Sequence, residues 1–548
     1  MLMTKEKRLI RGMQPDLIII NGRIWTGEPE LPYAEALAVQ ADIIIAVGSN
    51  DQIRLLSSSN TEVVDADGHL VLPGFIDNHT HLLVGGMQLL SLNLRQAGSK
   101  AEFMQAVANR AATTSPGIWI TGGGWNNDQW PGGEIPAKEW IDSMTPHNPV
   151  FLARSDLHIG FANSLALKLA GITRNTADPA GGAIVRDTDT GEPTGILKDT
   201  AVRLVQNCIP APSEEQYDQA LIAAMRHAAQ VGVTSVQDIT AWADWNDWKT
   251  FERFRQQEKL TLRIYARTQI TEWEKQLELM AAGFCGDAWL RLGGVKGFVD
   301  GSLGSGTALM FGPYQDAPAT AGLLAEQMFP AGIMQERITA ADKAGLPVSI
   351  HAIGDKANHI LLDIFEAVIL ANGKRDRRFR IEHAQHLIPA DIERLARLGI
   401  LASVQPGHVY EDGCWAEKRI GRQRCQLTYA FRSLLTAGAS LSFGTDWPVV
   451  PLNPFQGIYS AVTRRTQDGR NPEGWVPEQK LSVADCLYAY MQGSAYAEFS
   501  ESAKGTLSPG KLADILVVSQ DVMTVLPEDI AKTKVLCTIA GGKIIYQT

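Results

Sequence analysis

Two histidines one residue apart, His79 and His81, close an apolar run that begins at Leu72. Side chains alternate along an extended strand, so this spacing points both imidazoles to one face. Imidazole is the commonest side-chain ligand of divalent metals. The pair alone is a weak signal, because two hydrogen-bonded core histidines have the same spacing. Three more polar residues end comparable runs: His351 after Pro347, His383 after Phe379 and Asp446 after Leu441. The chain holds only 11 histidines. Four of them at three strand ends, beside a carboxylate, point to a metal centre. Four imidazoles and a carboxylate suit zinc or a similar borderline divalent ion, one or two per chain, better than calcium or magnesium. Such an ion lowers the pKa of bound water to about 7 and makes hydroxide available near neutrality. A carboxylate at a strand end can take the proton and return it to a leaving amine.

Eight short apolar segments would have to position these groups: 72–82, 233–238, 262–268, 295–300, 347–352, 379–385, 401–405 and 441–446. Helix-like stretches separate them, the alternation of an α/β chain with a parallel sheet. Eight such units predict a (β/α)8 TIM barrel, whose active sites lie at the carboxyl ends of the strands. The candidate ligands occupy those ends. Roughly 150 residues separate the first strand from the second, far more than one barrel unit needs. The region 83–230 is therefore expected to contain an inserted subdomain. Its stretch Gly122–Gly133 is rich in Gly, Trp and Pro and reads as loop. The first seventy residues and the last forty both read as short strands with Asn-Gly and Gly-Gly turns. This predicts a composite β-sandwich from residues 1–73 and 500–548, with the barrel spanning 74–499.

The chain has 548 residues and a formal net charge of -10, from 50 basic and 60 acidic side chains. That balance argues against nucleic acid or an anionic membrane as partner. Apolar residues make up 45%, ordinary for a protein with a sizeable core. The six cysteines form no CxxC pair, which is no disulfide scaffold. The basic residues near the start precede no long apolar core, so neither a signal peptide nor a membrane span is expected, and the cytoplasm is the expected location. A homodimer is the expected assembly only because closed twofold pairs are common.

The segments Leu72-Pro-Gly-Phe-Ile-Asp-Asn-His-Thr-His81 and Gly444-Thr-Asp-Trp-Pro-Val449 together resemble the amidohydrolase superfamily. Further segments narrow the likeness: Val295–Ala308, His351–Asn358, Arg380–Gln385, Ser403–Pro406 and Lys504–Asp514. They resemble the amidohydrolase family 3 branch, YtcJ-like metal-dependent hydrolases that include N-substituted formamide deformylases. The likeness spans nearly the whole chain. It implies a hydrolase of non-peptide C–N bonds, including N-formyl amides, acting on a small-molecule substrate. It also implies that His79, His81 and Asp446 hold one metal and that His351 and His383 hold a second. Lys296, carboxylated by carbon dioxide, would bridge the two. Asp446 would shuttle the proton. His158, in Arg154–Ser164, matches a family segment and becomes a candidate for substrate contact, although Leu157 replaces a usual glycine. Gln237-Asp238 stands where relatives often have His-Asp.

Trp125, Trp130 and Trp415 are candidates to line the substrate pocket. His408, Glu417 and Arg419 follow the seventh strand and so face the expected active-site mouth. Gly301–Thr307 lacks the Gly-Lys ending of a phosphate loop and reads as a loop over the metal site. Ester or lactone hydrolysis would use the same ligands. A non-catalytic regulatory protein on the same fold is the reading from another class, and the complete set of six candidate ligands weighs against it.

Overall fold

Eight parallel strands carry the candidate ligands. In chain order they are β1 (Phe75–Thr80), β2 (Val233–Ile239), β3 (Arg263–Gln269), β4 (Leu290–Phe298), β5 (Val348–Ala352), β6 (Arg380–His383), β7 (Leu401–Val404) and β8 (Leu441–Phe443). They belong to a computed structural model that describes residues 14–154, 159–179, 182–240, 244–284 and 286–548. Each strand pairs with the next in sequence order. The ends meet as well: Asp446 N–H donates to the His79 carbonyl at 2.7 Å and His81 N–H to the Trp447 carbonyl at 2.8 Å. The sheet thus closes on itself as a TIM barrel. Its strands are buried on both faces, as in β3, where all seven residues are buried; a parallel sheet covered by helices requires this. The covering helices carry ordinary signals. Pro389 opens the helix Pro389–Leu398, Gly399 ends it at φ 65°, and Ile392 and Leu395 are its buried face.

Two strands differ from expectation. The run from Leu72 is two elements: Leu70–Pro73 belongs to another sheet, and β1 starts only at Phe75. Gly74 makes the break. A Cβ there would lie 2.1 Å from Thr234 Oγ1, so only glycine lets the chain pass β2 this closely. β4 begins at Leu290, ahead of the expected Val295. Gly293 and Gly294 hide the early half, since glycine normally weakens a strand. Here the Tyr265 ring fills the space that a Cβ at Gly293 would occupy, 2.1 Å away.

Both chain ends build a β-sandwich. One sheet orders Ile43–Gly48, Ala36–Gln40, Leu17–Ile20 and Glu62–Asp65. The other joins Lys543–Gln547, Val535–Ala540 and Ile515–Val518 to Leu70–Pro73, Arg23–Trp25 and Tyr33–Ala34. Val517 pairs with Val71 and Leu516 with Leu72 across the antiparallel junction. Leu17, Ile19, Val39, Val71, Ile515 and Ile539 meet in its core.

The chain divides into two compact units, one comprising the residues up to Leu82 with Ala224–Thr548, the other Leu83–Ala223. The second unit has its own six-stranded sheet, ordered Gly182–Arg186, Pro193–Asp199, Ile159–Ala162, Val150–Arg154, Ile120–Trp125 and Leu92–Asn93. The glycine-rich run expected as loop begins as strand over Gly122–Trp125, because Ile120–Trp125 pairs with Val150–Arg154. Among the described residues no helix is long and apolar enough to cross a membrane.

Candidate active site

His79 lies on β1, His81 follows it, and Asp446 lies just past β8. The barrel seam brings them together. His79 Nε2 is 3.3 Å and His81 Nε2 3.2 Å from Asp446 Oδ1. One ligand atom from each falls within 4.8 Å of the others. Asp77 fixes the seam beneath them. Its carboxylate accepts Thr445 Oγ1–H at 2.6 Å and the Thr445 and His79 N–H groups at 3.0 Å each. Asp446 at φ 60° and His383 at φ 74° occupy the left-handed region. A side chain there costs on the order of 1–3 kcal/mol, and such residues concentrate at functional sites.

His351 on β5 and His383 on β6 have ring centroids 4.6 Å apart, and the His383 centroid is 5.0 Å from that of His79. Lys296 on β4 is 1% exposed. Buried partners orient the rings. His79 Nδ1 lies 2.6 Å from Glu382 Oε2 and His383 Nδ1 2.8 Å from Gln405 Oε1. His351 Nε2 lies 3.0 Å from the Gly301 carbonyl and 3.5 Å from Asp300 Oδ1. Imidazoles held at one nitrogen present the other, the arrangement found around metal-binding histidines.

Burial, followed by the Lys296 charge, lowers His351 to about 3, so it is a neutral imidazole. Burial also holds His383 well below its ordinary value. Lys296 falls to about 8, chiefly through burial; Glu382 opposes the shift and Arg267 adds to it. Burial would raise the carboxyl of Asp446, but His79 and His81 outweigh it and hold it well below the usual range. Glu382 is likewise buried and held low by Arg267 and His79.

His79, His81, Lys296, His351, His383 and Asp446 border a cavity of about 420 Å³ at the carboxyl ends of the strands. Phe298, Leu303, Trp415 and Val449 give it apolar walls, and His408 joins the polar side. His408 Nε2 is buried, lies 3.9 Å from Asp446 Oδ2 and has no hydrogen-bond partner among the described residues. A divalent cation fits this donor set. Two imidazole nitrogens converge on one oxygen of a buried carboxylate, and a second buried carboxylate backs His79. The acidic oxygens call for a cation between them.

Residues 62–546 match the Amidohydrolase family. The chain belongs to the amidohydrolase family. Protein LONG AFTER FAR-RED 3 of Arabidopsis thaliana is 42% identical to it over 545 residues, 98% of this chain and 92% of that protein. The N-substituted formamide deformylase of Arthrobacter pascens is 28% identical over 548 residues, 97% of this chain and 98% of that enzyme. The crystal structure of an uncharacterized metal-dependent hydrolase from Pyrococcus horikoshii OT3 matches with a TM-score of 0.75 and 29% identity. The match covers 93% of this chain and 99% of that one.

In this amidohydrolase Trp125 is not a pocket residue, which corrects the expectation. It is fully buried in the second unit's core against Phe103 and Phe161, and its indole N–H donates to the Leu152 carbonyl at 3.1 Å. Trp130 packs in the same core, bonded to the Ala97 carbonyl. The apolar environment of a sheet core explains both tryptophans. His158 lies outside the described residues. Trp415 and His408 line the cavity, as do Ser302, Leu303 and Gly304 of the loop 301–307. Arg419 holds that loop through the Leu303 and Gly304 carbonyls at 2.9 and 3.2 Å. Glu417 instead accepts from the Trp475 indole at 3.3 Å. Gln237 and Asp238 are structural: Gln237 bonds Arg380 and the Ser494 carbonyl, and Asp238 accepts Leu82 N–H at 2.6 Å.

Sequence reasoning missed Glu382, Gln405 and Asp300. Glu382 stands beside His383 and both reach His79, Glu382 through its Oε2 at 2.6 Å and His383 with its ring centroid at 5.0 Å, because φ 74° at His383 breaks the strand's alternation. A carboxylate in the middle of a buried strand was the available signal, since an unpaired charge is not tolerated there.

Proposed function

We propose that this amidohydrolase cleaves a C–N bond of a small non-peptide amide, N-formyl amines included. The observation that carries the reading is the convergence of His79, His81 and Asp446 within 4.8 Å at the mouth of a closed barrel. These three residues would hold one ion; His351, His383 and Lys296 would serve a second. A bound divalent ion, zinc by the borderline character of the donors, supplies Lewis acidity that lowers the pKa of water to about 7 and polarises a carbonyl.

The chain's own groups do the rest. Asp446, ionised and facing both imidazoles, accepts a proton from the attacking water and delivers it to the leaving amine. Glu382 and Gln405 keep His79 and His383 in one tautomer. Lys296, shifted toward its neutral amine, adds to carbon dioxide through Nζ; a carbamate forms and one proton leaves. The apolar walls exclude bulk water from the reacting bond.

The test is metal analysis of the purified protein together with a panel of amides that includes N-formyl amines. One or two equivalents of zinc and hydrolysis that stops on chelation support the reading. A fully metal-loaded protein that leaves every amide intact while cleaving an ester or lactone overturns it.

A further inference from the structure

The cavity holds a second carboxylate that the reaction above does not use. Asp412 lines it at the end of the helix Gly407–Asp412, one turn beyond His408 and on the same helix face. Its Oδ2 is anchored twice, accepting Tyr429 O–H at 2.5 Å and Gln385 Nε2–H at 3.1 Å. Among the described residues its Oδ1 accepts no hydrogen bond, and no lysine or arginine pairs with it. One oxygen is thus fixed by the protein and the other is presented to the cavity. Trp415 stands in the same lining, and aromatic faces attract cations. Asp446, the remaining carboxylate of the lining, is engaged by His79 and His81.

We infer that Asp412 is a specificity-determining residue that selects amides bearing a positively charged arm, an ammonium or amidinium, attached to an apolar or aromatic body. This rests on the amide-hydrolase reading and names its substrate class. A half-buried carboxylate without a cation gives up part of its hydration uncompensated, and its surroundings raise its carboxyl above the usual range. A ligand cation placed at Oδ1 removes that cost and forms a charge-assisted hydrogen bond. Phe298, Leu303, Trp415 and Val449 receive the apolar body. The net charge of -10 favours the approach of cationic molecules.

Two measurements on the zinc-loaded full chain test this. The first is calorimetric binding of benzylammonium and of benzyl alcohol, a cation and its neutral near-isostere. The wild type should bind the cation at least about 10-fold more tightly, and Asp412→Asn should bring the two within about twofold, as expected when a charge-assisted bond is lost. Equal binding by the wild type, or an undiminished preference in the variant, overturns the proposal. The second is the ratio of kcat/KM for N-[4-(aminomethyl)benzyl]formamide to that for N-benzylformamide. It should exceed about 10 in the wild type and approach about 1 in Asp412→Asn, mainly through KM. Turnover of both amides without preference rejects the cation site and leaves the hydrolase reading standing. A binding preference without turnover of either leaves the cation site standing and counts against formamide hydrolysis.

Discussion

Glu382 Oε2 lies 2.6 Å from His79 Nδ1, while Glu382 Oε1 pairs with Arg267. One fully buried carboxylate is thus shared between a candidate metal ligand and a guanidinium at the centre of the barrel. The metal site and the barrel interior are coupled through it.

Glu382→Gln should therefore lower zinc affinity by about 10- to 100-fold, the usual effect of losing a ligand-orienting partner. It should also lower the melting temperature, because a buried guanidinium left without its partner costs about 3–5 kcal/mol. Zinc titration and thermal melts read the two effects separately. Wild-type affinity in a destabilised variant would leave Glu382 a purely structural role.

The proposed carbamate has a direct signature. Protein equilibrated with ¹³C-bicarbonate should show one protected carbamate resonance, and Lys296→Gln should lack it. The same variant should lose turnover, and short carboxylic acids that substitute for the missing carboxylate should restore part of it. A labelled resonance that survives in Lys296→Gln assigns the carbamate elsewhere.

Beneath the barrel, Lys504 Nζ lies 2.5 Å from Glu498 Oε1, and both side chains are buried. Burial raises Glu498, but Lys504, Arg291 and Ser500 outweigh it, so its folded value is below the ordinary 4.5. The sign follows from linkage. This group adds stability above the unfolded carboxyl value, and the contribution fades as pH falls through the folded one. Wild-type melting temperature should drop on acidification below about pH 4.5, and Glu498→Gln, less stable at neutral pH, should show a shallower drop. Parallel curves would refute the assignment.

The barrel and the convergence of His79, His81, His351, His383 and Asp446 in one cavity were legible because these residues end four apolar runs, and a barrel gathers strand ends at one face; Lys296, second in its segment, was legible only through the family resemblance. Positions set by packing were less legible. Gly74 and Gly293 look like breakers in one dimension, but each allows a close approach of Thr234 or Tyr265 that no local pattern encodes. Trp125 sits in a glycine-rich stretch and so resembled a loop residue, whereas pairing with Val150–Arg154 makes it core. Glu382 and Asp412 gain their roles from partners 303 and 17 residues away, His79 and Tyr429. Such contacts exist only once the barrel has closed.

The most direct test is chelation and reconstitution of Asp446→Asn beside the wild type, on an amide that the wild type hydrolyses. Chelation should abolish wild-type turnover and zinc should restore it. Asp446→Asn should stay folded and take up zinc more weakly; at saturating zinc its turnover should remain lower by about 100-fold or more, the lower range for loss of a general base. Near-normal turnover of the folded, zinc-loaded variant would contradict the role of Asp446, and wild-type turnover that survives complete removal of metal would contradict the metal site itself.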